Sequence, residues 1–268
     1  MNRLSILLCL VVLAACHKDD KKKPENHSPE NVKILTYNIH HGTPIHHADD
    51  DVQLNVIADV IKQQNPDLVA LQEIDSMTAR APYDEAKQLG TLTGMHSYFA
   101  KTISYQGGSY GIAVLSRYPI ASHQKIMLPM PDPTGEQRAV AIIKVEIIPG
   151  TPFYFASTHL DLKEENRKAQ AKRLLQLSED LDAPLIFAGD LNAAPAAPEI
   201  KTIGEGFSSP CVSNCPKTFP SDKPSETIDY IFLNPQAAAL CHNLSYTAIS
   251  TTLASDHLPL LGYFTMNQ

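Results

Sequence analysis

Tryptophan is absent from this 268-residue chain, and all aromatic residues together make up 7 % of it. No basic segment interleaved with aromatic rings is visible, so the usual stacking platform for single-stranded nucleic acid is missing. Positive charge is scarce as well. The 22 Lys and Arg stand against 29 Asp and Glu, giving a formal net charge of -7. No global basic field is therefore available to draw in polyanions, although a local patch is still allowed. Beyond residue 31 there is no second linker, repeat or low-complexity stretch. That argues for one large domain over 32–268, long enough to bury a sizeable core. Past the N-terminus, no apolar run approaches the roughly 20 residues of a membrane span.

The N-terminus reads differently. Residues 1–15 carry Arg3, an apolar stretch too short to span a bilayer, and then Leu13-Ala14-Ala15 before Cys16. That order is expected of a secretory signal. The Cys after Leu-Ala-Ala resembles a bacterial lipobox, which implies lipidation of Cys16 and attachment to a membrane by more than one acyl chain. Residues 16–31 are charged, proline-punctuated and almost free of apolar side chains, so they are expected to form a flexible tether. The Lys18-Asp19-Asp20 run resembles a surface-export signal of bacterial lipoproteins, and a plain solvated linker explains it almost as well. The expected location is thus an exported, lipid-anchored position at the outer membrane or cell surface, with the chain acting as a monomer.

Cysteine is sparse, with five in all. Cys9 would leave with the signal and Cys16 would carry lipid. Cys211, Cys215 and Cys241 remain, in a compartment where disulfides persist. The C-x-x-x-C spacing of Cys211 and Cys215 fits either a bridge across a turn or half of a zinc site. The bridge is favoured, and it leaves Cys241 unpaired.

Periodicity alternates between strand and helix early and turns strand-rich later. Strands are predicted at 32–37, 68–71, 98–103, 112–116, 140–147, 153–157, 185–188, 230–233, 246–249 and 260–264. Helices are predicted at 52–64, 84–89 and 164–177, the first with Val52, Val56, Ile57, Val60 and Ile61 on one face. Many strands with few helices suggest two packed sheets covered by helices on their outer faces.

Acid, amide and histidine residues sit at or near the ends of these apolar runs. They are Asn38 in LTYNIHHG, Glu73 after LVALQ, His159 in STHL, Asp190 and Asn192 in GDLNAAP, Asp229 in IDYIF, and Asp256 with His257 in SDHLPL. Such oxygen ligands suit a hard cation, and carboxylates and histidines can also move protons or hold a phosphate. Each cluster has a plain alternative. Asp190 and Asn192 would face the same way on a continued strand, or would form a surface Asx turn. Asp256 and His257 would be a capping acid and an exposed ring. Asp161, two residues after His159, would share its cleft or simply end the strand. His40, His41, His46 and His47 lack a paired Cys or carboxylate spacing, and are expected to be loop residues.

Taken together, YNIHHG, LQEID, YGIAVLSRYPI, STHL, GDLNAAP, IDYIF and SDHLPL resemble the signature blocks of the endonuclease/exonuclease/phosphatase superfamily, in its order. The resemblance implies an α/β fold, a four-layer α/β/β/α sandwich of two mainly antiparallel sheets flanked by helices. It also implies metal-dependent hydrolysis of a phosphoester with Mg2+ as cofactor, and Mn2+ as a substitute. By the same resemblance Glu73 is the principal Mg2+ ligand, with Asn38 and Asp256 on the metal side. Asp190 would activate water, His159 would touch the scissile phosphate, and Asn192 would orient it. Asp229 would orient His257. The family's phosphate donor before STHL has no clear counterpart, and Arg138 is assigned in its place. The acidic balance and tether favour a phospholipid or small phosphoester as substrate. An exported nuclease acting on DNA or RNA is the runner-up, and a lipoprotein that only binds is a minor alternative.

Overall fold

A computed structural model of the chain describes residues 31–148, 150–181, 183–211, 213–250 and 253–266. Cys16, the export segment and the expected tether up to residue 30 lie outside the described residues. Asn31, expected to be the last tether residue, already opens the first strand and pairs with Thr265.

The elements run β1 (Asn31–Asn38), α1 (Leu54–Gln64), β2 (Leu68–Ser76), α2 (Glu85–Thr93), β3 (His96–Tyr105), β4 (Gly108–Ser116), β5 (Ser122–Met127), β6 (Ala139–Ile148) and β7 (Thr151–His159). They continue with α3 (Glu164–Leu181), β8 (Leu185–Asp190), α4 (Pro198–Ile203), β9 (Asp229–Leu233), α5 (Pro235–Leu240), β10 (Cys241–Ala248) and β11 (Leu260–Met266). One sheet has the order β10-β11-β1-β2-β4-β3 and the other β5-β6-β7-β8-β9. Each contains a single parallel pair, β1 with β2 and β7 with β8, made by a crossover through α1 and α3 respectively. The remaining pairs are antiparallel.

The continuous apolar runs are explained by burial on both faces. Along β1 and β2, Ile34, Leu68 and Ala70 enter the core between the sheets. Their neighbours Leu35, Tyr37, Val69 and Leu71 pack instead against Ile57, Ile61 and Leu89 of α1 and α2. In β8, Ile186 and Ala188 face the other sheet, while Leu185 and Phe187 lie under Leu174 and Leu177 of α3. Two sheets with a helical layer on each outer face result, the α/β/β/α sandwich expected.

Differences from expectation have local causes. Strand β5 has a burial pattern that is almost wholly exposed, so SHQKIM carries no alternation to read, and it forms the edge of its sheet. Helices α4 and α5 are six residues each, too short for a 3.6-residue period to show. Cys211 and Cys215 are bridged with Cα atoms 5.4 Å apart, and Cys241 is free and buried.

Polar ties join the sheets away from the cleft as well as within it. Gln72 of β2 donates to Ser157 Oγ of β7 (3.1 Å), and Ser157 Oγ donates back to the Leu71 carbonyl (2.9 Å). The Tyr246 hydroxyl of β10 reaches the outer edge of β9, accepting from Ile231 N (2.5 Å) and donating to its carbonyl (2.7 Å).

Candidate active site

Strand alternation places the site at one end of the layer between the sheets. In the second sheet, His159 pairs with Asp190 and Asp190 with Asp229, so three ionisable residues form one cross-strand row. They continue the inward-facing set that holds Ala188 and Ile231. Gly189 precedes Asp190 because a Cβ there would stand 1.9 Å from the Thr158 carbonyl oxygen of the parallel neighbour. In the first sheet the inward set runs Ile34, Thr36, Asn38 on β1 and Leu68, Ala70, Gln72 on β2. Strict alternation would send Glu73 the other way. A bulge between Gln72 and Ile74 breaks the register, and Glu73 adopts φ +60°. The bulge re-aims its carboxylate into the cleft. Holding a non-glycine residue in the left-handed region costs about 1–3 kcal/mol, a strain found mostly where function requires it.

Asp190 is the centre of the arrangement. Its Oδ2 lies 3.1 Å from Asn38 Nδ2, 3.5 Å from His159 Nε2 and 3.6 Å from His257 Nε2. Its Oδ1 accepts the Asn192 backbone N–H at 2.9 Å, an Asx turn in which Asn192 takes φ +49°. The strand therefore does not continue to Asn192. The left-handed turn instead swings its side chain back, so that Nδ2 donates to the Leu160 carbonyl (2.9 Å) and stands 3.0 Å from His159 Nε2. His257 arrives from the loop before β11, with Nδ1 donating to Asp229 Oδ2 at 2.9 Å and its ring 4.9 Å from that of Phe219. Ser255 Oγ anchors that loop to the Asn38 carbonyl at 2.7 Å.

The electrostatics separate the two histidines. Arg138 Nη1 stands 3.0 Å from His159 Nδ1 and Asn192 Nδ2 stands 3.0 Å from Nε2, so two donors compete for the one lone pair of a neutral ring. Burial holds the pKa of His159 well below its ordinary value, reinforced by the charges of Arg138 and His257, so it stays neutral. Burial would also lower His257, but the Asp229 and Asp190 charges outweigh it and raise this ring to about 10. Burial raises Asp190 above the usual carboxylate range, against the opposing pull of His257. A buried carboxylate with increased proton affinity thus faces a cationic imidazole and a neutral one.

A cleft of 310 Å³ opens over this cluster, lined by Glu73, Arg138, His159, Asp190, Asn192, Asp256 and His257 among others. All nine residues singled out from the sequence meet here, Asn38 and Asp229 through the hydrogen bonds already given. Asn38, expected on the metal side, gives Oδ1 to the His40 N–H (3.1 Å) and turns Nδ2 to Glu73 Oε1 (3.0 Å) and Asp190. It bridges two carboxylates as a donor. Asp161 does not join the cleft group. Its carboxylate is used locally, accepting from Asn166 Nδ2 (2.7 Å), Lys163 N (3.0 Å) and Glu136 N (3.1 Å). Glu136 and Tyr110 were missed. Glu136 Oε1 is 2.9 Å from Arg138 Nη1, and Tyr110 also pairs with Arg138. Tyr110 opens YGIAVLSRYPI and could have been found there, whereas Glu136 lies in a loop with no periodic signal.

The sequence model of the endonuclease/exonuclease/phosphatase family matches residues 35–257, most of the chain. The chain belongs to this family. Its members are phosphoesterases and nucleases, which makes the protein a hydrolase of that broad class, and they usually depend on a divalent metal. An Escherichia coli (strain K12) relative, "Uncharacterized protein YbhP", is 28 % identical over 182 residues, 63 % of this chain and 70 % of the relative. An endonuclease/exonuclease/phosphatase structure from Bacteroides vulgatus aligns with TM-score 0.71 and 19 % identity over 88 % of this chain and 99 % of the other. The catalytic domain of human Nocturnin, solved with bound sulfate, aligns with TM-score 0.68 and 21 % identity over 89 % and 94 % of the two chains. The family match establishes the family, and the structural likenesses its fold.

Proposed function

We propose that this member of the family is a Mg2+-dependent hydrolase of a small phosphoester or phospholipid head group, with Asp190 as general base. The observation that carries the reading is the convergence of three side-chain nitrogens, from Asn38, His159 and His257, on Asp190 Oδ2 within 3.6 Å. The cleft donors fit a hard cation: Glu73 and Asp256 are carboxylates and no sulfur lines the cleft. Glu73, fixed by Asn38, would be the principal ligand, with Asp256 at the rim. Bound there, Mg2+ or Mn2+ would neutralise phosphoryl oxygens and leave room for them in its coordination shell.

The chain's own groups do the rest. Asp190 Oδ2 takes a proton from the attacking water, a task helped by its raised pKa. His257, held cationic by Asp229, donates to oxygens whose charge grows in the transition state, with neutral His159 beside them against the phosphate. Asn192 Nδ2 adds a second donor. Arg138, in contact with His159, lines the cleft as a further phosphate donor. The net charge of -7 supports a small or membrane-borne substrate over duplex DNA. Leu13-Ala14-Ala15-Cys16 supports lipidation of Cys16 and a membrane-attached, exported location.

The test is turnover of sphingomyelin, phosphatidylinositol, inositol phosphates, DNA and RNA by the purified chain with Mg2+ or with EDTA. Mg2+-dependent release of phosphate or head group is expected. Activity that survives EDTA removes the metal reading, and activity confined to DNA or RNA replaces the substrate reading with a nuclease.

A further inference from the structure

Beside the catalytic cleft lies a second cavity, of 300 Å³, bordered by His40, His41, Asp49, Glu73, Arg80 and Tyr105 among others. The sequence offered the histidines no carboxylate partner at ligand spacing; the fold supplies Asp49. One ligand atom from each of His40, His41 and Asp49 lies within 4.8 Å of the others. We propose that these three residues bind a divalent transition ion of the zinc type, at a site distinct from that of the catalytic Mg2+.

The decisive geometry is at His41. Its side chain is 5 % exposed, and Nε2 stands 3.0 Å from Asp49 Oδ1, yet Nε2 makes no hydrogen bond. The two atoms lie side by side. Ligands about 2.1 Å from a shared ion stand about 3.4 Å apart at the tetrahedral angle and about 3 Å apart at about 90°, so a small spreading of this pair would seat a zinc-type ion. The surroundings match what metal-bound imidazoles and carboxylates require. His40 Nδ1 is tied to the Thr43 carbonyl at 3.1 Å, which leaves Nε2 as its ligand atom. His41 Nδ1 faces Glu73 Oε2 at 4.0 Å. Asp49 gives its other oxygen, Oδ2, to Arg80 Nη1 at 3.2 Å, and the Arg80 charge is itself met by buried Asp75 at 2.6 Å.

Backbone strain points the same way. Adjacent His40 and His41 take φ +47° and +43°, and their rings come within 4.3 Å of one another. Neighbouring residues of an ordinary loop have no need to hold two such conformations together. Two imidazoles and one carboxylate select a borderline ion such as Zn2+ or Co2+ over Mg2+, which prefers oxygen alone.

The test uses the untagged full chain, freed of metal by a chelator and held in a large excess of Mg2+. Co2+ titration followed by visible absorption, and Zn2+ titration by calorimetry, should each count one equivalent per chain. Asp49→Asn and His41→Gln should weaken that binding at least about tenfold, with Asp190→Asn leaving it intact. Asp49 is 66 % exposed at its side chain, so Asp49→Asn keeps the fold even if His41→Gln does not, and thermal melts check this. The proposal is overturned by any of three results: no binding under Mg2+, unchanged binding in Asp49→Asn, or loss only in Asp190→Asn.

Discussion

The two parallel crossovers bring their strand ends to the same cleft in different ways. At the ends of β7 and β8 the ladder stays regular, and His159, Asp190 and Asp229 are set in one row by hydrogen-bond register alone. At the end of β2 the ladder is broken, and Glu73 reaches the cleft through a bulge and a left-handed backbone. Burial follows the same division: the Asp190 side chain is 2 % exposed and that of Glu73 is 22 %. Proton transfer needs fixed distances and a low dielectric, which a regular row of buried groups supplies. A metal ligand needs reach and access to solvent, which a distorted strand end supplies. Under the proposed function, the acid–base work falls to one sheet and the cation to the other.

Asp190→Asn should have the largest effect. It keeps shape and an acceptor but cannot take a proton, so kcat should fall on the order of 10²-fold or more while KM changes little. Near wild-type turnover would sink the division of labour. Glu73→Gln should lower Mg2+ affinity by about 10–100-fold, with activity partly restored at high Mg2+. A Glu73→Gln enzyme with an unaltered Mg2+ titration would place the cation elsewhere.

The raised pKa of His257 gives a signed stability prediction. The folded chain keeps a proton on this ring that the unfolded chain releases near 6.5. Its contribution is therefore complete below about 6.5 and lost as pH rises through about 10. Across that window stability should fall by up to about 1.4 kcal/mol per pH unit from this group. Asp229→Asn removes the main charge that holds the proton, so denaturant titrations from pH 7 to 9 should show a flatter dependence. An equal slope in both proteins would contradict the assignment. The smallest effect belongs to the bulge. Glu73→Gly should be about 1 kcal/mol more stable than Glu73→Ala, because only glycine relaxes at φ +60° without a Cβ penalty. In a regular strand position the order reverses, so comparing the two melting curves tests the strain directly.

The residues of the site were legible because its strands are buried on both faces. An acid or amide at the end of a wholly apolar run such as LIFAGD stands out against its background, and seven such blocks occur in a recognisable order. The geometry was much less legible. Nothing in LQEID announces that Glu73 leaves the alternation, since a bulge depends on what β4 offers across the ladder. The row through His159, Asp190 and Asp229 is a matter of tertiary register between segments up to 70 positions apart. The orientation of the Asn38 amide has no sequence signal, because the His40 N–H that takes its oxygen arrives only once the backbone folds back. Asp49 escaped notice for the same reason: its tie to His41 depends on how the loop after β1 returns.

The hydroxyl of Tyr246 has a consequence for colloidal behaviour. Strand β9 is the last of its sheet, and an uncovered last strand invites pairing with another molecule. Here Tyr246 occupies the outward N–H and carbonyl of Ile231, and Ser208 occupies those of Leu233, each at 2.8 Å. The opposite border, β5, presents SHQKIM, whose Lys125 side chain is tied back to the Lys101 carbonyl at 3.0 Å. One margin of this sheet is thus sealed by borrowed hydrogen bonds and the other guarded by polarity, which disfavours edge-to-edge pairing of molecules through it.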